Sequence, residues 1–275
     1  MKGVVQRPVA RRPDGPTTDT LAEEEPLEMR VAGETLAITM RTPGDDAALA
    51  LGFLLAEGVL KTRDDVGTVA HCGRPDEEGY GNVIDVTPGA GARLQIERIE
   101  RTRRGTLTTA ACGICGRRSI DDLLALTGEV PPGPSLDARV LAGATALLKA
   151  HQPIFEQTGG VHAAAVLTAE GVVLAAAEDV GRHNAVDKVL GALFKAGKVP
   201  ARRGAGEPAV LVVSGRASFE IVQKAAMARL AAVACVSAAS SLAVDLADKA
   251  GITLAAFVRD GGWALYTHPE RLAAS

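Results

Sequence analysis

Apolar and polar positions alternate between residues 28 and 40, on either side of Ala32-Gly33-Glu34. A two-residue period that reverses at a glycine predicts two strands joined as a hairpin. Thr42-Pro43-Gly44-Asp45-Asp46 then opens a stretch carrying Leu49, Phe53, Leu54 and Leu55, which predicts an amphipathic helix with Gly58 near its end. Strands are predicted over residues 67–72, 82–86 and 93–99, the first two separated by a charged, glycine-containing turn. Residues 128–135 hold three prolines and two glycines and mark a boundary. Beyond it the rhythm changes. A helix over 138–150 precedes a strand pair over 161–167 and 172–176. Then come helix 184–196, strand 209–213, helix 219–230, strand 233–237, helix 242–250 closed by Gly251, and a strand pair over 252–258 and 263–267. Apolar strands alternating with helices imply a central sheet covered on both faces. The predicted fold class is α/β, with a layered C-terminal unit over residues 135–275 and a smaller N-terminal α+β unit over residues 28–134. A flexible arm over residues 1–27 precedes them.

Bulk composition narrows the function. The 275 residues are 47% hydrophobic, enough for a core that folds without crosslinks. Thirty basic and 33 acidic side chains give a net charge of -3, so any anion site must be local, and 3% aromatic content argues against a base-stacking surface. No nucleic-acid partner is expected. The first residues lack the apolar segment of a signal peptide, and no uncharged apolar run is long enough to span a bilayer. Four cysteines, only two closely spaced, do not resemble a secreted disulfide framework and predict a reducing cytoplasm.

Candidate chemistry concentrates in Ala110-Ala111-Cys112-Gly113-Ile114-Cys115-Gly116-Arg117-Arg118. A thiol attacks as the thiolate, and guanidinium charge or a helix N-terminus stabilises that anion. Thr106-Leu107-Thr108-Thr109 predicts a strand before this stretch and Ser119-Ile120-Asp121-Asp122 a capped helix start after it, which leaves both cysteines in a glycine-bracketed loop. Arg98, Arg101, Arg103, Arg104, Arg117 and Arg118 flank the pair. Four readings compete. Zinc would need His71-Cys72 as a second ligand pair, and adjacent ligands give it awkward geometry. A thioredoxin-type redox pair would open a helix in an early βαβ unit. Two inert cysteines fit poorly between glycines, and the fourth reading is a sulfur carrier that holds a persulfide.

Three further stretches carry polar groups at junctions. Ser214-Gly215-Arg216-Ala217-Ser218 follows the apolar strand at 209–213 and opens a helix, where free N–H groups and the helix dipole favour a phosphate; the simpler account is an ordinary turn capped by Ser218. Glu178-Asp179-Val180-Gly181-Arg182-His183-Asn184-Ala185-Val186-Asp187-Lys188 packs acids, cations, an imidazole and an amide around a glycine. That density suits a polar ligand, or Asp179 or Asn184 simply caps the helix. Phe257-Val258-Arg259-Asp260-Gly261-Gly262 is a strand end and a tight turn, and His162 within its apolar strand reads as a core histidine.

Cys112-Gly113-Ile114-Cys115-Gly116, Thr158-Gly159-Gly160-Val161-His162, the run from 178 to 188 and Ser214-Gly215-Arg216-Ala217-Ser218, in that order, resemble the formate dehydrogenase accessory sulfurtransferase family, FdhD, over residues 28–270. The resemblance implies a three-layer, cytidine-deaminase-like C-terminal domain and a homodimer. It implies a persulfide carrier that takes sulfur from a cysteine desulfurase. The acceptor is the bis-molybdopterin guanine dinucleotide molybdenum cofactor, charged before it enters formate dehydrogenase. On this chain Cys112 would bear the persulfide with Cys115 as its partner. Cofactor contacts, including those to the guanine nucleotide part, would fall on Phe257, Val258, Arg259, Asp260, Gly261 and Gly262, on Ser214, Gly215 and Arg216, and among Arg182, His183 and Asn184. No permanently bound metal and no membrane partner are expected. Zinc-deaminase chemistry is absent, because His162 is followed by Ala163 and Ala164 and no Pro-Cys-x-x-Cys comes later. A non-catalytic molybdenum-cofactor chaperone and a zinc-binding structural protein are the alternatives.

Overall fold

The computed structural model describes residues 3–74, 76, 79–92, 94, 124, 130, 135–202 and 204–273. Expectations at 93–99, 106–109 and 119–122, and the two cysteines Cys112 and Cys115, lie outside the described residues. Strands β3 (Glu25–Val31) and β4 (Glu34–Arg41) form the hairpin expected from the alternation. Its two-residue turn places Ala32 at φ 52 and Gly33 at φ 85, the pair of left-handed conformations that matches strand twist. With β5 (Val66–His71) and β6 (Val83–Pro88) they make a four-stranded sheet in the order β4-β3-β6-β5, where β3 and β6 run parallel. Leu27, Met29, Val31, Ile84 and Val86 point to one buried face.

The second sheet has six strands in the order β12-β11-β10-β9-β7-β8. These are β7 (His162–Thr168), β8 (Val173–Asp179), β9 (Pro208–Val213), β10 (Ala232–Cys235), β11 (Thr253–Arg259) and β12 (Gly262–Thr267). Strands β9, β10 and β11 are parallel, and β7 is antiparallel to both β8 and β9. Strands β8 to β11 therefore end at one common edge. Helices α4 (Arg182–Lys195), α5 (Phe219–Met227) and α6 (Ser241–Ala250) each begin at that edge and run back over one face, sharing a core with Leu211, Val213, Val233 and Leu254. Helix α2 (Ala138–Lys149) covers the other face, with Leu141, Ala144 and Leu148 set against Ala165, Val210, Val212 and Ala234. Period-two burial on both faces of β9 to β11 leaves them apolar throughout, which is why they read as continuous runs.

Two expectations change. Residues 4–22, expected within a flexible arm, form a full hairpin of β1 (Val4–Arg11) and β2 (Gly15–Ala22), registered from Val4 opposite Ala22 to Arg11 opposite Gly15. Val4, Val5, Val9, Thr17, Thr18 and Thr20 supply β-branched positions, and Asp14-Gly15 supplies the reversal; these outweigh the prolines. Helix α1 (Asp46–Ala56), expected to be amphipathic, is buried on almost every side, including Leu49, Ala50, Leu51, Leu54, Leu55 and Ala56. It lies between the four-stranded sheet and α4.

Helices α1 and α4 approach main chain to main chain. A Cβ placed on Gly52 would sit 1.9 Å from the carbonyl oxygen of Asp187, and one on Gly191 would sit 1.8 Å from that of Ala48. No rotamer relieves a clash with backbone, so either helix must move and open the shared core. Gly52→Ala and Gly191→Ala should each destabilise by about 3 kcal/mol or more in urea denaturation. Gly143 in α2, with nothing near its Cβ position, is the control. Gly143→Ala should stabilise by roughly 0.5–1 kcal/mol because alanine loses less backbone freedom in a helix.

Candidate functional site

The run from Glu178 to Lys188 crosses from the end of β8 into α4, and most of its polar groups bond inward. Glu178 accepts from the Ile154 and Phe155 N–H groups, both at 2.8 Å, and so caps helix α3 (Pro153–Thr158). Asp179, fully buried, pairs with Lys188 Nζ at 2.8 Å and accepts from the N–H groups of Thr42 and Gly181 at 3.1 and 2.8 Å. Lys188 also donates to the Thr42 carbonyl at 2.7 Å, and the Thr42 hydroxyl accepts from Val180 N–H at 3.1 Å. Asn184 Nδ2 donates to the Met40 carbonyl at 2.7 Å and to Asp179 at 3.0 Å. Glu178, Asp179 and Lys188 are each partnered, as burial at that depth requires. Asp187, buried in the α4–α5 interface, takes two bonds from Lys224 at 2.7 and 2.8 Å; burial raises its carboxyl pKa against the pull of that lysine.

At the sheet's edge a different group assembles. Ser214, just beyond β9, holds the first turn of β7 twice: its N–H donates to the Ala163 carbonyl at 3.0 Å and its Oγ accepts from Ala163 N–H at 2.9 Å. The His162 ring is thereby set against Gly215. A Cβ on Gly215 would lie 3.5 Å from His162 Nδ1 and 3.9 Å from Arg182 Cδ, so the missing side chain leaves a cradle walled by an imidazole and a guanidinium stem. Arg182 Nε is buried with no hydrogen-bond partner among the described residues. Arg216 stands exposed next to Gly215. His183 is buried and contacts Glu220 Oε2 at 2.7 Å and Ser218 Oγ at 3.3 Å. Burial alone would raise the Glu220 carboxyl, but the His183 bond and the charges of His183, Lys224 and Arg182 hold it below the usual carboxylate range. His162 is pushed below the ordinary imidazole value by burial first, then by Arg182, His183 and Arg216, with Asp179 opposing. Three helix N-termini add positive potential at the same edge.

The remaining predicted residues follow along the edge. Ser237 N–H bonds the Gly215 carbonyl at 3.4 Å and Phe257 N–H bonds the Ser237 carbonyl at 3.1 Å, so Phe257 lies three strands from His162, about 14 Å away at normal strand spacing. Phe257 has φ 55 at a bulge in β11 and is 40% exposed. Val258 turns inward and is fully buried among the residues that α2 covers. Arg259 pairs with Gly262 across a two-residue turn in which Asp260 and Gly261 have φ 53 and 78, all four exposed. Arg182, His183, Ser214, Gly215 and Arg216 are thus brought together, with 257–262 further along. Asn184 faces the N-terminal sheet instead, because its amide completes the bonding of Asp179 and Met40.

His162, read from sequence as a core histidine, and Glu220, which was not singled out, belong to the group. His162 opens β7 after Thr158-Gly159-Gly160, and that strand-terminal position, not its apolar neighbours, was the available signal. His71, which a zinc site would recruit, contacts Asp46 at 3.5 Å and the Val83 carbonyl at 3.3 Å, and its ring lies tilted against Tyr80 with centroids 6.0 Å apart. Among the described residues no three His, Cys, Asp or Glu side chains are grouped as metal ligands.

The FdhD/NarQ family model matches residues 22–273. This chain belongs to the FdhD/NarQ family. A sulfur carrier protein FdhD of Anaeromyxobacter dehalogenans strain 2CP-1 is 55% identical over 271 residues, covering 98% of this chain and 94% of its own. The protein of that name from Nocardia farcinica is 48% identical over 258 residues, covering 92% and 88%. The crystal structure of a candidate formate dehydrogenase accessory protein from Desulfotalea psychrophila superposes with a TM-score of 0.71 at 23% identity, covering 98% of both chains, so the fold is shared. Within this FdhD/NarQ chain no described helix is long and apolar enough to cross a membrane.

Two measurements check the buried network and the edge. Lys188→Met removes the cation from a fully buried carboxylate and should cost about 3–5 kcal/mol in urea denaturation. For His162 the unfolded chain binds a proton near pH 6.5, roughly, that the folded chain resists. Its contribution is therefore complete above that pH and is lost as the pH falls below it. His162→Gln should flatten the decline in unfolding free energy between about pH 7 and pH 5 relative to the native chain.

Proposed function

We propose that this FdhD/NarQ protein carries sulfur to the bis-molybdopterin guanine dinucleotide molybdenum cofactor, its substrate, before that cofactor enters formate dehydrogenase. The observation that carries the cofactor-binding part is Arg182 Nε, buried without a partner among the described residues, beside Gly215 and the exposed Arg216 where α4, α5 and α6 begin. An orphaned buried guanidinium donor beside a second cationic side chain and helix N-termini fits a phosphate oxygen. The guanine dinucleotide's diphosphates provide such oxygens. In this reading the contacts are Arg182, Gly215 and Arg216, with Phe257, Arg259 and the turn at Asp260-Gly261-Gly262 extending the surface. Asn184, Ser214 and His183 hold the edge in shape.

The sulfur-carrying part rests on the Cys112/Cys115 pair and on relatives named sulfur carriers. The Cys112 thiolate attacks the outer sulfur of a desulfurase persulfide, forming a new S–S bond and expelling the desulfurase thiolate. Delivery follows when the Cys115 thiolate attacks Cys112 Sγ. A Cys112–Cys115 disulfide forms, and the outer sulfur leaves as hydrosulfide with the bond's electron pair, after which cellular thiols reduce the disulfide. A cytoplasmic homodimer, and a division of the chain near residue 134 into two units, are parts of the same proposal.

Mass spectrometry after incubation with a cysteine desulfurase and cysteine should show a gain of one sulfur atom that Cys112→Ala abolishes. Cys115→Ala should accumulate the persulfide and deliver it poorly. Calorimetry with GDP should show binding weakened about tenfold in Arg182→Ala and in Arg216→Ala, the loss of one charge-assisted bond each. GDP binding without any gain of sulfur would leave a cofactor chaperone in place of a carrier.

A further inference from the structure

We infer that His162 takes up a proton when a dianion occupies the cradle at Gly215, and so becomes a third cationic contact beside Arg182 and Arg216. The inference rests on the proposed reading of this edge as an anion site and adds a residue and a proton to it.

The geometry is specific. Ser214 clamps Ala163 through two bonds, so the preceding residue cannot swing away from the edge. The ring lies 3.5 Å from the Cβ position of Gly215, and the Arg182 stem lies 3.9 Å from the same point. Any side chain at 215 would fill the space those two groups share. The charged and titratable groups facing the ring come from each element around it. Arg182 and His183 come from α4, Arg216 from the turn into α5, and Asp179 from the end of β8. Glu220 of α5 is engaged with His183.

Empty, this surrounding favours the neutral imidazole, since burial, the two guanidinium groups of Arg182 and Arg216 and the neighbouring His183 outweigh one buried carboxylate that is already paired with Lys188. A dianion seated between Arg182 and Arg216 reverses the balance. Its two charges offset both guanidinium groups and attract the imidazolium directly. By linkage, whatever raises the ring's proton affinity must also make the protonated protein bind the dianion more tightly. The site then prefers phosphate-like dianions to neutral or singly charged groups, and its affinity rises as pH falls.

The test follows the ring signal of His162 by NMR through a pH titration, with the signal assigned by its loss in His162→Gln. Three samples are compared: no ligand, sulfate, and GDP. Sulfate keeps both charges across the whole range and contributes no proton of its own. The expected result is a midpoint below the free-imidazole value without ligand, moved upward by about one pH unit with sulfate or GDP, a tenfold gain in binding on protonation. Arg182→Ala should remove that movement. Should sulfate shift the midpoint while GDP fails to bind, the inference stands and the nucleotide reading falls. Should GDP bind and leave the midpoint in place, the nucleotide reading stands and the inference is overturned. A midpoint unmoved by either ligand overturns it as well.

Discussion

The contact that orders this molecule is the one between the main chains of α1 and α4. Gly52 and Gly191 let each helix lay its backbone against a carbonyl of the other, at Asp187 and Ala48. Such proximity removes the space that side chains normally occupy between helices, whose axes otherwise stand 8–10 Å apart. It explains why α1 is buried on almost every side and why the four-stranded sheet and the helices over the six-stranded sheet share one hydrophobic cluster. It also brings Thr42, at the mouth of α1, within hydrogen-bond reach of Asp179 and Lys188, at the mouth of α4.

From that follows the double duty of the run at 178–188. On one side it is a seam, where Asp179, Asn184 and Lys188 bond Met40 and Thr42. On the other it is an edge, where Arg182 and His183 meet His162, Ser218, Glu220 and the Gly215 turn. The two roles fall on different faces of the same helical turn, since Arg182, His183 and Asn184 are consecutive. A buried ion pair adds little net stability against an apolar replacement, but it fixes one geometry, and here the geometry fixed is that of the Gly181-Arg182 entry into α4. The polar density that looks like ligand chemistry in sequence is largely the fastening that holds a smaller set of residues at the sheet's edge.

Much of the architecture was legible beforehand for identifiable reasons. The turn at Ala32-Gly33, the closing Gly251 and the apolar runs at 209–213 and 252–258 each carry local signals that tertiary packing reinforces. The first hairpin was not, because prolines and charge near residues 8–16 masked its β-branched alternation. The all-round burial of α1 was not read either, although residues 47–56 carry no polar side chain and a helix apolar on all sides is normally buried; the helix that covers its far side, at Gly191, lies 139 residues from Gly52. For the candidate site, Ser214-Gly215-Arg216 and Arg182 were visible as a strand-to-helix turn and a junction cation. His162 was passed over because periodicity assigns a face, not a position along the strand. Asn184 was drawn in because proximity in sequence does not tell which way successive helical residues point, and 100° per residue sends neighbours to opposite surroundings.

A seam made of carbonyls and α-carbons has one further property. Main-chain shape is the same whatever sequence it carries, so the point of closest approach places its demand on two glycines, while the mouth of the junction depends on Asp179, Asn184 and Lys188. A larger side chain at either glycine would act on the distance between the two backbones themselves, which no change of side chain elsewhere along the seam can restore.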